Sequence, residues 1–180
     1  MRESETLSEI PHFQQTNIIE SVQMIDTFYI SEMINSLDEY VNLLHTLRAA
    51  SSDDHIHIYI SSPGGSLNVG MSIINAMLST QANVTTTLDG EACSMGSLIF
   101  LSGHNILVQR YSRLMLHNYS STMNGKGHEL ESMMQSTKEM FEELATDVCD
   151  KFLTKKELKQ MFDGKDFWFG PDEIIKRLNK

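Results

Sequence analysis

The chain has 180 residues, a formal net charge of −10, 41% apolar residues and 21% charged residues. That balance is globular rather than disordered, and the length suits one domain with its own core. The acidity argues against a phosphate-backbone partner, which needs clustered Lys and Arg, and against an anionic membrane surface.

Cys93 and Cys149 are the only cysteines. Their spacing matches neither a zinc site nor a disulfide framework, so a reducing compartment is expected. The stretch from Met1 to Thr6 is polar and lacks the apolar core of a signal peptide. No apolar run approaches the ~20 residues of a membrane span. A soluble, cytoplasmic protein is expected.

Residues 1–17 are polar and read as a flexible N-terminal segment, followed by a single domain over 18–180. Between Ile18 and Ile30 partial alternation predicts one or two strands. Ser31 to Ala50 reads as a helix, with apolar residues at Met33, Ile34, Leu37, Tyr40, Val41, Leu44 and Leu47. His55 to Ile60 alternates strictly and predicts a strand. His55 and His57 share one of its faces; a two-histidine metal site lacks a third ligand nearby, and a solvated strand face is the plainer reading.

Ser61-Ser-Pro-Gly-Gly-Ser66 then predicts a tight turn before a helix with Val69, Ile73, Ile74, Met77 and Leu78 on one side. Gly64 and Gly65 permit positive φ and close approach to the backbone. The phosphate-loop reading fails, because no Gly-Lys-Ser/Thr ending follows. Two readings of the turn remain: a turn only, or a Gly65 N–H aimed into a pocket as an oxyanion donor.

Asn83 to Leu88 predicts a second core strand, and Met95 to Leu101 a short helix. Between them lies Gly90-Glu-Ala-Cys-Ser-Met-Gly-Ser97, with small residues around Ser94. A serine at a strand-to-helix corner has an exposed hydroxyl near free backbone N–H groups, which suits a nucleophile. The plain alternative is an N-cap serine. The alternation of strand and helix predicts parallel strands, with both turns at their carboxyl ends, where α/β proteins build sites.

Gly103 to Gln109 predicts a short strand, and Arg113 to His117 another with a histidine at its tip. If that strand neighbours the one before Ser94, His117 is the candidate general base; otherwise it is a surface histidine. Ser120 to Gly127 reads as a loop. His128 to Phe152 is the longest helical pattern, apolar at Leu130, Met133, Met134, Met140, Phe141, Leu144, Val148 and Phe152. Its methionines suit either the chain's own core or a projecting arm packed on another subunit. Thr154 and Glu157 form a capping box for a further helix. Asp163-Gly164 predicts a turn, Phe167 to Phe169 a short strand, and Gly170-Pro171 the start of a last helix. Asp166, just before that strand, is a candidate to orient His117 or a plain turn residue.

Ser-Pro-Gly-Gly-Ser at 62–66, Gly-x-Ala-x-Ser-Met-Gly at 90–96, Met-Leu-His at 115–117 and Lys-Asp at 165–166 together resemble the proteolytic subunit of the Clp protease family (ClpP) over residues 18–175. The resemblance implies an α/β fold of the ClpP/crotonase kind, repeated βαβ units with a protruding handle helix at about 128–152. It implies a serine peptidase with Ser94 as nucleophile, His117 as base and Asp166 as the residue orienting it. The backbone N–H groups of Gly65 and Met95 would form the oxyanion hole. It implies heptameric rings stacked as a tetradecamer around an enclosed chamber, unfolded polypeptides as substrates, and an ATP-driven Clp-type unfoldase as partner. No metal or cofactor is expected of this chain; ATP would be used by the unfoldase.

This sequence departs from the family pattern at Asn118-Tyr119, where Gln-Pro is common, and at Lys165, where Arg often serves contacts between rings. Lysine lacks the bidentate fork, so ring stacking is expected to be weaker or differently arranged. Three rival readings are a crotonase-type acyl-CoA enzyme, a non-catalytic ring subunit, and Cys93 rather than Ser94 as nucleophile.

Overall fold

The computed structural model describes residues 25–179. The expected flexible segment at 1–17 and any strand before Ile25 lie outside them. Four parallel strands, β1 (Ile25–Ile30), β2 (His55–Ser62), β3 (Asn83–Cys93) and β5 (Arg113–Leu116), lie side by side in that order. The antiparallel β6 (Phe167–Phe169) closes the edge beside β5. β3 is long enough to take two successive neighbours on one side. Thr85 to Leu88 pair with β4 (Asn105–Val108), and Glu91 to Cys93 pair with β5.

Helices α1 (Val41–Ala49), α2 (Leu67–Ser79) and α3 (Met95–Leu101) connect successive strands. β2 alternates half-buried and buried residues along its whole length, and Ile56, Ile58 and Ile60 are all in the core. On β3 a run of apolar residues and threonines from Val84 to Leu88 is buried, as a central parallel strand requires. The threonines are tolerated because they bond: Thr86 Oγ1 donates to the Phe100 carbonyl at 2.7 Å.

Several sequence expectations need correction. The helix predicted from Ser31 begins only at Leu37, as a short 3-10 turn to Tyr40 that leads into α1. Ile34 instead pairs in extended form with Gly65 and is fully buried. Its helical spacing was coincidental, and backbone pairing to the glycine turn wins. The strand predicted to end at Leu88 continues to Cys93, because a bulge on β3 between Leu88 and Ala92, opposite Ile60 to Ser62 of β2, lets the pairing run on. Leu78, read as apolar-face, is 66% exposed at the end of α2.

The long helix α4 spans Gly127–Cys149, and Phe152 packs in the turn beyond it. Its two halves differ. Phe141, Ala145 and Cys149 are buried, whereas Met133 and Met134 are 50% and 56% exposed. Two short helices follow, α5 (Lys155–Phe162) and α6 (Pro171–Leu178), either side of β6. Thr154 and Glu157 form the predicted capping box. Arg177 pins α6 to α5 through Glu157 at 2.8 Å and to the Phe152 carbonyl at 3.1 Å. Among the described residues no helix is long and apolar enough to cross a membrane.

Candidate functional site

β3 delivers Ser94 to the carboxyl end of the sheet, immediately before α3. Ser94 has φ 54° and ψ −123°, and it is the one non-glycine residue with positive φ among the described residues. Such a backbone costs of order 1–3 kcal/mol and persists only where its surroundings over-determine it. Here they do. The Ser94 N–H donates to the Met115 carbonyl at 3.0 Å, and the Ser94 carbonyl accepts from the Ser97 and Leu98 N–H groups at 3.0 and 3.2 Å. The buried Ser97 hydroxyl lies 2.8 Å from the Ala92 carbonyl and 2.6 Å from that of Met115, bracing both strands. The Ser94 side chain makes no capping hydrogen bond, so the plain N-cap reading is set aside.

The glycine turn lies against this elbow. Ser62 Oγ donates to the Glu32 carbonyl at 2.5 Å and accepts the Gly64 N–H at 3.2 Å. The Gly64 carbonyl accepts the Ile34 N–H at 2.8 Å, and the Ser66 N–H donates to the Ile34 carbonyl at 2.6 Å. That is parallel pairing on either side of Gly65, which leaves Gly65's own N–H facing away from Ile34. Gly64 has φ 98°, and a Cβ there would stand 2.8 Å from Ser94 Cβ and 3.1 Å from the Met95 nitrogen. Met95 opens α3, so its N–H has no partner within the helix. The Met95 side chain occupies the space that a Cβ on Gly70 would need. Gly70 therefore seats Met95.

His117 follows the last residue of β5, and it is half-buried. β5 is the parallel neighbour of the strand that ends at Cys93, as the sequence reading required. Leu116 pairs with Phe167 across β5 and β6, so the same register one residue further sets His117 opposite Asp166. Asp166 is exposed. Backbone topology thus brings the elbow, the histidine and the aspartate to one end of three adjoining strands. Among the described residues, no hydrogen bond or ion pair joins the His117 side chain to Ser94 or Asp166.

Cys93 is buried, and its thiol is pushed up to about 11, first by burial and then by the neighbouring Glu91 carboxylate. A thiol so far from ionising is a poor nucleophile near neutral pH, which weighs against the Cys93 alternative. His55 and His57 hydrogen-bond Thr85 and Thr87 across the sheet at 2.9 and 2.6 Å. Among the described residues no group of three His, Cys, Asp or Glu side chains is disposed to hold a metal.

Sequence reasoning gave no structural role to four residues that shape this end of the sheet: Ser62, Gly70, Ser97 and Asn118. Their roles are hydrogen bonds or van der Waals room across strands, which periodicity does not encode. The signal that was present is local: Ser62, Gly70 and Ser97 fall inside or beside the two glycine-and-serine-rich stretches.

These elements define a parallel α/β protein whose candidate site stands at the carboxyl ends of its strands, built around a strained serine. A family model described as Clp protease matches residues 13–176, nearly the whole chain, and the chain belongs to that family.

Proposed function

We propose that the chain is a serine endopeptidase subunit, with Ser94 as nucleophile, His117 as general base and Asp166 as the group that orients and charges-balances the imidazole. The observation that carries this reading is the Ser94 elbow, a strained serine backbone packed on the Gly64-Gly65 turn. The fold reading that goes with it is the ClpP/crotonase arrangement of repeated βαβ units, with α4 as the protruding handle.

The chemistry follows from what each group can do. A neutral serine hydroxyl is a weak nucleophile, so His117 takes its proton as Ser94 Oγ attacks the scissile carbonyl. Negative charge develops on the carbonyl oxygen, and the N–H groups of Gly65 and Met95 are the donors for it. One such donor is worth about 2.7–4 kcal/mol of barrier. His117 then protonates the leaving amine, and water releases the acyl-enzyme by the same route in reverse. Asp166 holds one imidazole tautomer and stabilises the imidazolium.

The substrates in this reading are unfolded polypeptides, bound extended so that backbone hydrogen bonds supply affinity with little side-chain demand. The chain works as a heptameric ring, two of which stack as a tetradecamer, fed by an ATP-driven Clp-type unfoldase. It needs no cofactor of its own. A cytoplasmic setting suits this scheme.

The test is peptide cleavage by the purified native assembly, with Ser94→Ala in parallel and fluorophosphonate labelling of the wild type. Cleavage lost in Ser94→Ala, with label on Ser94, supports the reading. Unlabelled protein that turns over an acyl-CoA thioester would support the crotonase-type alternative instead.

A second reading has one observation in its favour. His117 makes no hydrogen bond to Ser94 or Asp166 among the described residues, which suits a non-catalytic ring subunit that only assembles or regulates. Native assembly without cleavage, in wild type and Ser94→Ala alike, would select it.

A further inference from the structure

His117 and Asp166 stand opposite each other without a bond, one residue beyond the end of the β5–β6 ladder at Leu116 and Phe167. Past the end of that ladder, among the described residues, one side chain hydrogen-bonds across from the His117 segment to the chain that leads into Asp166. Asn118 Nδ2 donates to the Phe162 carbonyl at 2.8 Å, and Asn118 Oδ1 accepts the Tyr119 N–H at 2.9 Å. Phe162 is the last residue of α5, and the turn that leads from it to Asp166 is closed by backbone hydrogen bonds. The Gly164 and Lys165 N–H groups donate to the Met161 and Gln160 carbonyls at 3.0 and 2.9 Å, and Gly164 has φ 98°. A clamp on the Phe162 carbonyl is therefore a clamp on the start of the Asp166 turn.

The two bonds of Asn118 act at right places for this. The Oδ1 bond fixes the backbone just after His117, and the Nδ2 bond ties that backbone to α5. An amide is the side chain that supplies an acceptor and a donor at once; a carboxylate cannot donate and a hydroxyl is too short to reach both. Tyr119 adds an apolar brace on the same side, its ring 5.4 Å from Phe141, which in turn lies 6.2 Å from Phe162. The bond is shielded, because Asn118, Tyr119 and Phe162 are each half-buried.

We infer that Asn118 is a positioning residue for peptide cleavage: its paired hydrogen bonds hold the His117 segment in register with the Asp166 turn. This rests on the serine-peptidase reading above. The Asn118 side chain bonds the Phe162 carbonyl and the Tyr119 N–H, and none of its hydrogen bonds goes to the Ser94, His117 or Asp166 side chains. It acts through the imidazole and carboxylate, so removing it costs kcat and leaves substrate affinity almost alone.

The experiment is a double-mutant cycle on the native assembly with Asn118→Ala, Asp166→Ala and the double variant, each read for kcat and KM. Asn118→Ser serves as a second probe, since it keeps a short acceptor for the Tyr119 N–H but loses the reach to Phe162. Histidine C2–H exchange of His117, followed by mass spectrometry, is a readout that needs no activity. Asn118→Ala and Asn118→Ser are expected to lower kcat by roughly ten- to a hundred-fold with KM within about twofold, as small misplacements of catalytic groups do. In the Asp166→Ala background the Asn118 change should cost less than about twofold, because the partner it aligns is gone. His117 exchange should move in the same direction in Asn118→Ala and Asp166→Ala.

Unchanged kcat, full additivity with Asp166→Ala, or His117 exchange that moves in Asp166→Ala only, each overturns the inference while the peptidase reading stands. Wild-type assembly that cleaves nothing, or Ser94→Ala that cleaves normally, removes the peptidase reading and the inference with it.

Discussion

The two sides of the candidate site are built differently. On the serine side, Ser94 and the glycine turn are held by backbone hydrogen bonds to Met115, Ile34, Ser97 and Leu98, and by buried hydroxyls of Ser62 and Ser97. On the histidine side, His117 and Asp166 lie just past the end of the β5–β6 ladder and Asp166 is exposed, with one side-chain amide bridging beyond the ladder. The first side is fixed within a single copy of the chain. The second has no bond among the described residues between the histidine and the aspartate side chains themselves, and it lies beside a helix whose N-terminal half is exposed. If Ser94 is the nucleophile and His117 the base, as proposed above, the nucleophile side is the more firmly built of the two, and activity would be expected to follow whatever aligns the histidine side.

The sharpest break of that contrast is at Ser94. Ser94→Ala should lower peptide cleavage by at least about 10⁴-fold, with folding little changed. Ser94→Gly should be equally inactive yet more stable by about 1 kcal/mol, because glycine accepts φ 54° without strain. A thermal melt of the two variants against wild type checks it. Equal melting of Ser94→Gly and Ser94→Ala would mean the elbow stores no strain.

Gly64→Ala attacks the same side from the turn. A Cβ there meets the Cys93 carbonyl at 2.7 Å and Ser94 Cβ at 2.8 Å, at a φ of 98° that alanine avoids. Either the turn or the elbow must shift, and displacing an oxyanion donor costs about 10²–10³-fold in kcat. Gly70→Ala is the milder version. It pushes on the Met95 side chain rather than on backbone, and part of the strain relaxes. About tenfold in kcat and about 1–3 kcal/mol of stability are expected, within the usual cost of overpacking. Steady-state kinetics with thermal melts separates the two, and a Gly70→Ala enzyme as impaired as Gly64→Ala would show that the donors tolerate no adjustment.

How much of this was legible in the sequence also divides along the same line. The strict alternation of β2, the helix from Met95 to Leu101 and the capping box at Thr154 were readable because local spacing dictates them. The parallel direction of the strands followed from strand-helix alternation, whereas the place of the His117 strand beside β3 was legible only as a condition. Ile34 misled because a helix-like spacing and an extended pairing bury the same residue, and only the distant Gly65 decides between them. Asn118 was visible merely as a departure from a family pattern, since its partner lies 44 positions away. The relation of His117 to Asp166 stayed open for the same reason: register across β5 and β6 is a long-range fact.

The first turn of α5, at the opposite end of that helix from Phe162, and its partner on α6 offer a control that should change stability and leave cleavage alone. The Arg177 guanidinium, bonded to Glu157, holds that carboxyl down at about 2, with the Thr154 N–H and hydroxyl also lowering it. A carboxyl depressed in the folded state contributes its full stabilisation above its unfolded value of about 4.3 and loses it as pH falls toward 2. Glu157→Gln should therefore flatten the fall in melting temperature between pH 5 and pH 3, while kcat at neutral pH is unchanged. An acid limb as steep as that of wild type would assign the loss to other carboxylates.

The smallest expected effect on the fold tests the loose side most directly. Met133 and Met134 lie on the exposed half of α4, and Met134 lines a small hollow of about 250 Å³ with Tyr119, Ser121, Met123 and Leu130. Exposed substitutions of this kind change stability by no more than about 0.5 kcal/mol. Met133→Lys with Met134→Lys should accordingly melt like wild type. If the histidine side is aligned by a second copy packed on α4, the same pair should lower the native mass and cut cleavage together, while fluorophosphonate labelling of Ser94 falls in proportion to assembly. A variant that loses mass but keeps full cleavage would mean that one copy aligns His117 unaided, and the contrast between the two sides would then carry no functional weight.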